Sequence, residues 1–292
     1  MRRHTLKPLR FAGLLLLAGA AGAADIERIT WLSADPPASV DSQAGTGLAS
    51  KMVAFMKLQW PEVQHEIVQA NAKRSWQMLA LGEPVCHASA LRTPERETLA
   101  YFSNTQLSPP LQLIARRDKL ALLPRNAAGE VDLARLLADL RLRGALVDGR
   151  SYGLFIDQVL AGKPARKTVD LYAAADYGSK ILPMLSIGRG DYTIEQDMAL
   201  SVVSERNPQV NKLLMSLPIQ GASEPLQAGV ACPRNAWGLA VIREIDKRLA
   251  TAAGVAMLRQ SAERWLTPEM RKHYGPRIDA FYKERAKPSV IQ

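Results

Sequence analysis

From Ile26 to Ala90 the apolar residues follow two alternating rhythms, short strand-like runs and longer helical ones. Ile26–Leu32, reading IERITWL, has the character of a first strand, and Ala34-Asp35-Pro36-Pro37 breaks it. Gly45–Leu58 then carries Leu48, Met52, Val53, Phe55 and Met56 at helical spacing, and Trp60-Pro61 ends that helix. A second strand is expected over Val63–Val68, a second helix over Ala72–Leu81 before Gly82, and a third strand over Val85–Ala90. Strand-helix-strand-helix-strand is the order of an α/β unit with parallel strands, because a parallel partner needs a crossover and a helix supplies it.

The middle of the chain reads as a second unit of the same kind. Leu111–Ala115, Ala145–Val147, Thr168–Tyr172 and Tyr192–Ile194 read as strands. Leu133–Leu142, Tyr152–Leu160 and Gly178–Leu185 read as the helices between them. Asn207–Leu226 is weakly patterned, Gly229–Ala231 reads as a strand, and Leu239–Leu249, Ala256–Trp265 and Pro268–Tyr274 read as helices. Three closing helices are too few for a domain of their own, so they should pack on one of the two units.

The N-terminus has the form of a targeting segment. Arg2, Arg3, Lys7 and Arg10 precede an apolar run from Phe11 to Ala20, and Ala21-Gly22-Ala23 has the small-x-small pattern of a signal-peptidase site. The run is shorter than the roughly 20 residues of a permanent span. Cleavage after Ala23 is therefore expected, leaving an exported, periplasmic protein without a membrane anchor. Losing that segment removes four basic and no acidic residues, so the formal charge falls from +10 to +6. The remaining charge is mixed in sign, and its largest basic cluster is only Arg116-Arg117 with Lys119. That argues against a nucleic-acid footprint, which needs basic residues gathered on one face.

Two cysteines, Cys86 and Cys232, are present. In an oxidising compartment they invite a disulfide, and two buried thiols remain the other reading. Two isolated cysteines and no histidine pair at ligand spacing imply no metal site. No cofactor is implied.

Gly149-Arg150-Ser151-Tyr152-Gly153 matches G-x-S-x-G between a strand-like and a helix-like run, which raises the question of a nucleophile elbow. A serine nucleophile needs a histidine base and a carboxylate. Only His273 lies downstream, within MRKHYGP at a surface-like helix end, and no His-Gly-Gly segment is present. The same turn reads better as an anion cradle. Gly149 allows close backbone approach, Ser151 can cap the helix or donate to a ligand, and Arg150 adds charge. A helix cap that touches no ligand is the plainer alternative.

The segment Ala88–Ser103, ASALRTPERETLAYFS, resembles the turn-and-arginine segment of type II periplasmic solute-binding proteins of the polar amino-acid family, the third family of bacterial extracellular solute-binding proteins. Other pieces resemble that family in the same order: the first strand with Pro36-Pro37, LVDGRSYG at the start of the second ligand face, Gly188–Asp197 (GRGDYTIEQD), and the closing helices from Trp237 to Trp265. The nearest likeness is to an uncharacterised proteobacterial subgroup. The resemblance implies two α/β lobes joined by two hinge strands, with a ligand cleft between them. Residues 24–107 plus 236–292 would form lobe one, and 108–235 lobe two.

By the same resemblance Arg96 grips a carboxylate with two parallel hydrogen bonds, a geometry lysine cannot offer. The plainer reading of Arg96 is a surface ion pair with Glu95 or Glu97. Ser89 would help hold the carboxylate, and the turn from Gly149 through Arg150 and Ser151 to Tyr152 would face Arg96 from lobe two. Leu91 stands where relatives usually carry a hydroxyl. Gln196 stands where they often carry an Asp that pairs with the ligand's ammonium, and a neutral amide cannot neutralise a cation. Glu195 or Asp197 could serve only after a one-residue slip, which in a strand turns the side chain to the other face. Trp31 and Asp35 could line the cleft, or be a core aromatic and a turn residue.

The expected function is capture of a small polar, carboxylated solute by hinge closure, for an ABC permease or a membrane sensor, by a monomer with no covalent chemistry. One rival is an enzyme on the same fold, of the cyclohexadienyl-dehydratase type, with Glu195 or Asp35 as acid or base. The other is a sensor or interaction protein that has lost its ligand.

Overall fold

The computed structural model describes residues 26–33, 48–162, 165–173, 180–263, 266–289 and 291. The targeting segment, Asp35 and the Pro36-Pro37 turn lie outside the described residues.

The chain builds two five-stranded sheets. In the first the order is β2 (Gln64–Gln69), β1 (Arg28–Ser33), β3 (Val85–Leu91), β10 (Leu226–Pro233) and β4 (Ala100–Ser108). Strands β1, β2 and β3 are parallel, as the opening alternation requires, with α1 (Leu48–Gln59) and α2 (Ala72–Ala80) as the crossovers. Asn71 caps α2 by accepting the Arg74 N–H at 2.9 Å. The short α3 (Pro94–Glu97) follows β3; Thr93 caps it and Pro94 occupies its first turn.

Strand β10 is antiparallel to both β3 and β4. It arrives from the far end of the chain and inserts between them. Cys86 on β3 and Cys232 on β10 therefore face each other, with Cα atoms 4.4 Å apart, and they form a disulfide. The question that composition left open is settled by register.

The second sheet has the order β7 (Val169–Tyr172), β6 (Gly144–Val147), β8 (Tyr192–Glu195), β5 (Gln112–Arg116), β9 (Leu214–Leu217). Its helices are α4 (Leu133–Ala138), α5 (Leu154–Leu160), α6 (Ala165–Thr168), α7 (Ile181–Ser186), α8 (Asp197–Arg206) and α9 (Pro208–Leu213). Tyr192, Leu113, Leu136 and Ile156 pack on one side of this sheet, and Ile114, Leu182 and Leu185 on the other. Burial on both sides explains why the strands read as short continuous apolar runs.

The closing helices are α10 (Ala236–Leu249), α11 (Ala252–Glu263) and α12 (Pro268–Arg285). They cover the first sheet: Val241, Ile245, Leu258, Ile278 and Tyr282 share a core with Ile29, Trp31 and Met52. A buried polar cluster fixes the last helix there. Arg285 Nη2 lies 3.1 Å from the Asp246 carboxylate, its Nε donates to the Asn104 carbonyl at 2.7 Å, and Ser103 donates to Asp246 at 2.7 Å. Among the described residues no helix is long and apolar enough to cross a membrane, and no group of three or more His, Cys, Asp and Glu could hold a metal ion.

Candidate functional site

A cavity of about 820 Å³ lies between the two sheets' outer elements. From the first lobe it is walled by α2, through Lys73, Trp76, Gln77 and Ala80, and by the α3 region, through Thr93, Glu95, Arg96 and Leu99. From the second lobe come the end of β6, with Leu146 and Val147, and the following turn, with Gly149, Arg150, Ser151 and Tyr152. Asp157, Leu160 and Ala161 of the α5 region, and Val169 and Leu171 of β7, complete it. Arg96 and the Gly149–Tyr152 turn, expected to face each other, do so across this space.

Arg96 is held from three directions. Its guanidinium lies over the Trp76 ring, 4.4 Å from the centroid. Nη1 donates to the Leu91 carbonyl at 3.0 Å, and Nη2 reaches the Gly149 carbonyl of the other lobe at 3.5 Å. Stacking fixes the plane of the guanidinium, and a fixed plane aims its N–H fork. Behind Trp76 lies buried His87, whose ring stacks at 6.2 Å and whose pKa is pushed down to about 3, first by burial and then by the charge of Arg96.

The turn after β6 is largely occupied with itself. The Asp157 carboxylate accepts the Ser151 hydroxyl at 2.5 Å and the Tyr152 N–H at 2.7 Å, while Ser151 Oγ accepts the Gly153 N–H at 3.2 Å. The anion in this cradle is thus a carboxylate of the chain itself. Ser151 has an aspartate, not a histidine, as its partner, and no histidine is among the described residues that line the cavity. Helix α5 starts at Leu154, two residues later than expected, with Gly153 as its N-cap at φ +94°. Tyr152 is buried, its hydroxyl accepts the Val147 N–H at 2.8 Å, and burial raises its pKa to about 12.

Arg150 and Glu195 form a two-point ion pair, with Nη2 to Oε1 at 2.8 Å and Nη1 to Oε2 closer still. Glu195 Oε1 also accepts the Gln196 N–H at 2.8 Å. This pair neutralises the charge that the turn was expected to offer. It was not read from the sequence, since 45 residues separate the partners.

The remaining expected site residues lie elsewhere. Trp31 is fully buried in the core of the first lobe, where its Nε1 donates to His65 Nδ1 at 2.9 Å; the core-aromatic alternative is the one the structure realises. Ser89 is half-buried in β3, its N–H donating to His87 Nδ1 at 3.2 Å, and it does not line the cavity. Gln196 lines a separate space of about 60 Å³ with Pro109 and Pro110 and with Leu266 and Met270 of the C-terminal region. Lys73 and Trp76, which sequence reasoning missed, contribute to the cavity from α2. Their signal was the amphipathic helix itself, whose polar face carries no family motif.

The lobes touch at the cavity mouth. Lys73 Nζ lies 3.4 Å from Asp148, and a Cβ on Gly149 would come within 2.8 Å of the Lys73 backbone nitrogen.

No protein-family model matches the chain, and no curated protein matches it. Solved structures do. An ancestral arginine-binding protein bound to arginine superposes with a TM-score of 0.59 at 16% identity, covering 82% of this chain and 97% of that one. A histidine kinase sensor domain with similarity to periplasmic binding proteins gives a TM-score of 0.58 at 15% identity, over 82% of this chain and 95% of that one. The solute receptor for L-cysteine of Neisseria gonorrhoeae gives 0.58 at 14% identity, over 91% and 96%. The fold is therefore the two-lobed α/β fold of periplasmic binding proteins, with β4 and β10 as the paired strands from which the second lobe departs and returns.

Proposed function

We propose that this chain is an exported solute-binding protein of the polar amino-acid family that encloses a small carboxylated solute between its lobes. The observation that carries the reading is the placement of Arg96, stacked on Trp76, across an interlobe cavity from the Gly149–Tyr152 turn. A stacked arginine offers a carboxylate two parallel donors. Closure of the lobes removes water and strengthens that interaction. The lobes are assigned as 24–107 with 236–292, and 108–235; within the latter, β10 is hydrogen-bonded into the first sheet. The targeting segment implies cleavage after Ala23 and a periplasmic location. The delivered solute would pass to an ABC permease or a membrane sensor; neighbours in fold include solute receptors and a kinase sensor domain.

The test is a thermal-shift screen of the purified protein against amino acids, dicarboxylates, aromatic acids and small peptides, with Arg96→Ala in parallel. A ligand at a hundred times its dissociation constant adds about 2.7 kcal/mol. A shift present in the wild type and lost in the variant supports the reading, and silence across the panel removes it.

A second reading, a sensor that closes without a ligand, is favoured by the cross-lobe contacts of Lys73 with Asp148 and of Arg96 with the Gly149 carbonyl. Wild-type behaviour of Arg96→Ala in every binding and signalling assay would favour it. The enzyme reading is weaker, because Glu195 is bound by Arg150 and Ser151 by Asp157. Turnover of prephenate or arogenate would revive it.

A further inference from the structure

We infer that the cavity selects an organic acid with a bulky apolar body and no ammonium group beside its carboxylate; this rests on the solute-binding reading above. An amino-acid site needs two opposed charges, a cation for the carboxylate and an anion for the ammonium. Among the described residues the second is spoken for. Glu195 gives both oxygens to Arg150 and one of them also to the Gln196 N–H. Asp157 gives one oxygen to Ser151 and the other to the Tyr152 N–H. Gln196 opens onto a different cavity. The remaining carboxylate among the described lining residues, Glu95, is exposed at the edge. An ammonium group buried without an anionic partner is strongly disfavoured.

The walls point the same way. Trp76, Ala80 and Leu99 from the first lobe face Leu160, Val169 and Leu171 from the second, in a space of about 820 Å³. That lies within the roughly 300–1,000 Å³ of sites that enclose drug-sized ligands. Leu171 lines this space while 62% exposed, an apolar side chain that a ligand would cover. Arg96, held in plane by Trp76, supplies the cation for the acid.

The test is calorimetric titration of the purified protein with matched probes: indole-3-propanoate and L-tryptophan, which differ by the ammonium group, with octanoate and L-glutamine as second arms. Indole-3-propanoate is expected to bind at least tenfold more tightly than L-tryptophan, and octanoate more tightly than L-glutamine. Arg96→Gln should abolish binding of both acids. Leu171→Asn, at an exposed position that leaves the fold intact, should weaken it severalfold with an unchanged melting temperature. L-Tryptophan or L-glutamine binding as tightly as the acids overturns this inference and leaves the solute-binding reading standing. Acids that bind unchanged to Arg96→Gln or Leu171→Asn also overturn it. No heat from any probe overturns this inference, while the solute-binding reading is decided by the wider thermal-shift panel.

Discussion

Gly149 of the second lobe sits against the backbone of Lys73 in the first, so closely that a Cβ there would lie 2.8 Å from the Lys73 nitrogen and 2.9 Å from its Cα. The obstruction is main chain, which cannot swing aside. The glycine also holds φ at +73°, a region that costs other residues about 1–2 kcal/mol. Gly149→Val should therefore wedge the lobes apart. Solution scattering should report a larger radius of gyration than wild type, and affinity for any cleft ligand should fall at least tenfold. Identical scattering curves would show that the close approach does not govern closure.

The Arg150–Glu195 pair is nearly enclosed, with side chains 13% and 11% exposed. Glu195→Gln removes the anionic side and leaves a desolvated guanidinium, an imbalance that costs about 3 kcal/mol in such settings. Urea unfolding should show that loss. A double Arg150→Met, Glu195→Met variant should recover most of it, since replacing both charges removes the desolvation penalty. A double variant as unstable as the single one would contradict this account.

The Cys86–Cys232 bridge closes a loop of sequence separation 146. Cross-linking so long a loop lowers the entropy of the unfolded chain, and losing it should cost about 2–5 kcal/mol. Cys86→Ala with Cys232→Ala, or reduction of the wild type, should lower the melting temperature by several degrees. Two titratable thiols in the denatured, unreduced protein would exclude the bridge outright.

His87 makes the fold acid-sensitive. Its folded pKa of about 3 lies below the ordinary imidazole value of about 6.5, so the unfolded chain binds the extra proton between those values. Stability contributed by the neutral imidazole is full above about pH 6.5 and is lost as pH falls toward 3, by up to about 1.4 kcal/mol per pH unit. His87→Gln should flatten the stability profile in that window. A wild-type profile flat from pH 6.5 to 4 would place the histidine in a wetter environment than the one described.

The alternation of β1, α1, β2, α2 and β3 was legible because each run carries its own period, and Arg96 with the Gly149–Tyr152 turn was legible through motif order. Strand β4 was not: Ser103 and Thr105 interrupt its apolar pattern, yet both are buried, Ser103 donating to Asp246 and Thr105 to the Ala228 carbonyl. Those partners come from distant segments. Helix α12 was expected to stop before Gly275-Pro276 but runs on to Arg285, because Ile278, Tyr282 and Arg285 share a face buried against the rest of the lobe. Packing overrides the breaker there. In Asn207–Leu226 the short α9 and β9 leave too few residues for either period to show. The roles of Glu195 and Asp157 were hidden for another reason. Glu195 is bound by Arg150, and Asp157 by the Ser151 hydroxyl and the Tyr152 N–H, donors that a motif match assigns to the ligand.

Strands β4 and β10 are neighbours in one sheet, and Ser108 at the end of one stands opposite Leu226 at the start of the other. Seen as a ladder, they are the stem of a single hairpin whose loop carries every strand of the second sheet. A tight turn across Ser108 and Leu226 would join them without altering the register below it. The first lobe, with its bridge, its covering helices and its arginine, is in that sense a complete frame, and the second lobe is cargo carried at one of its corners.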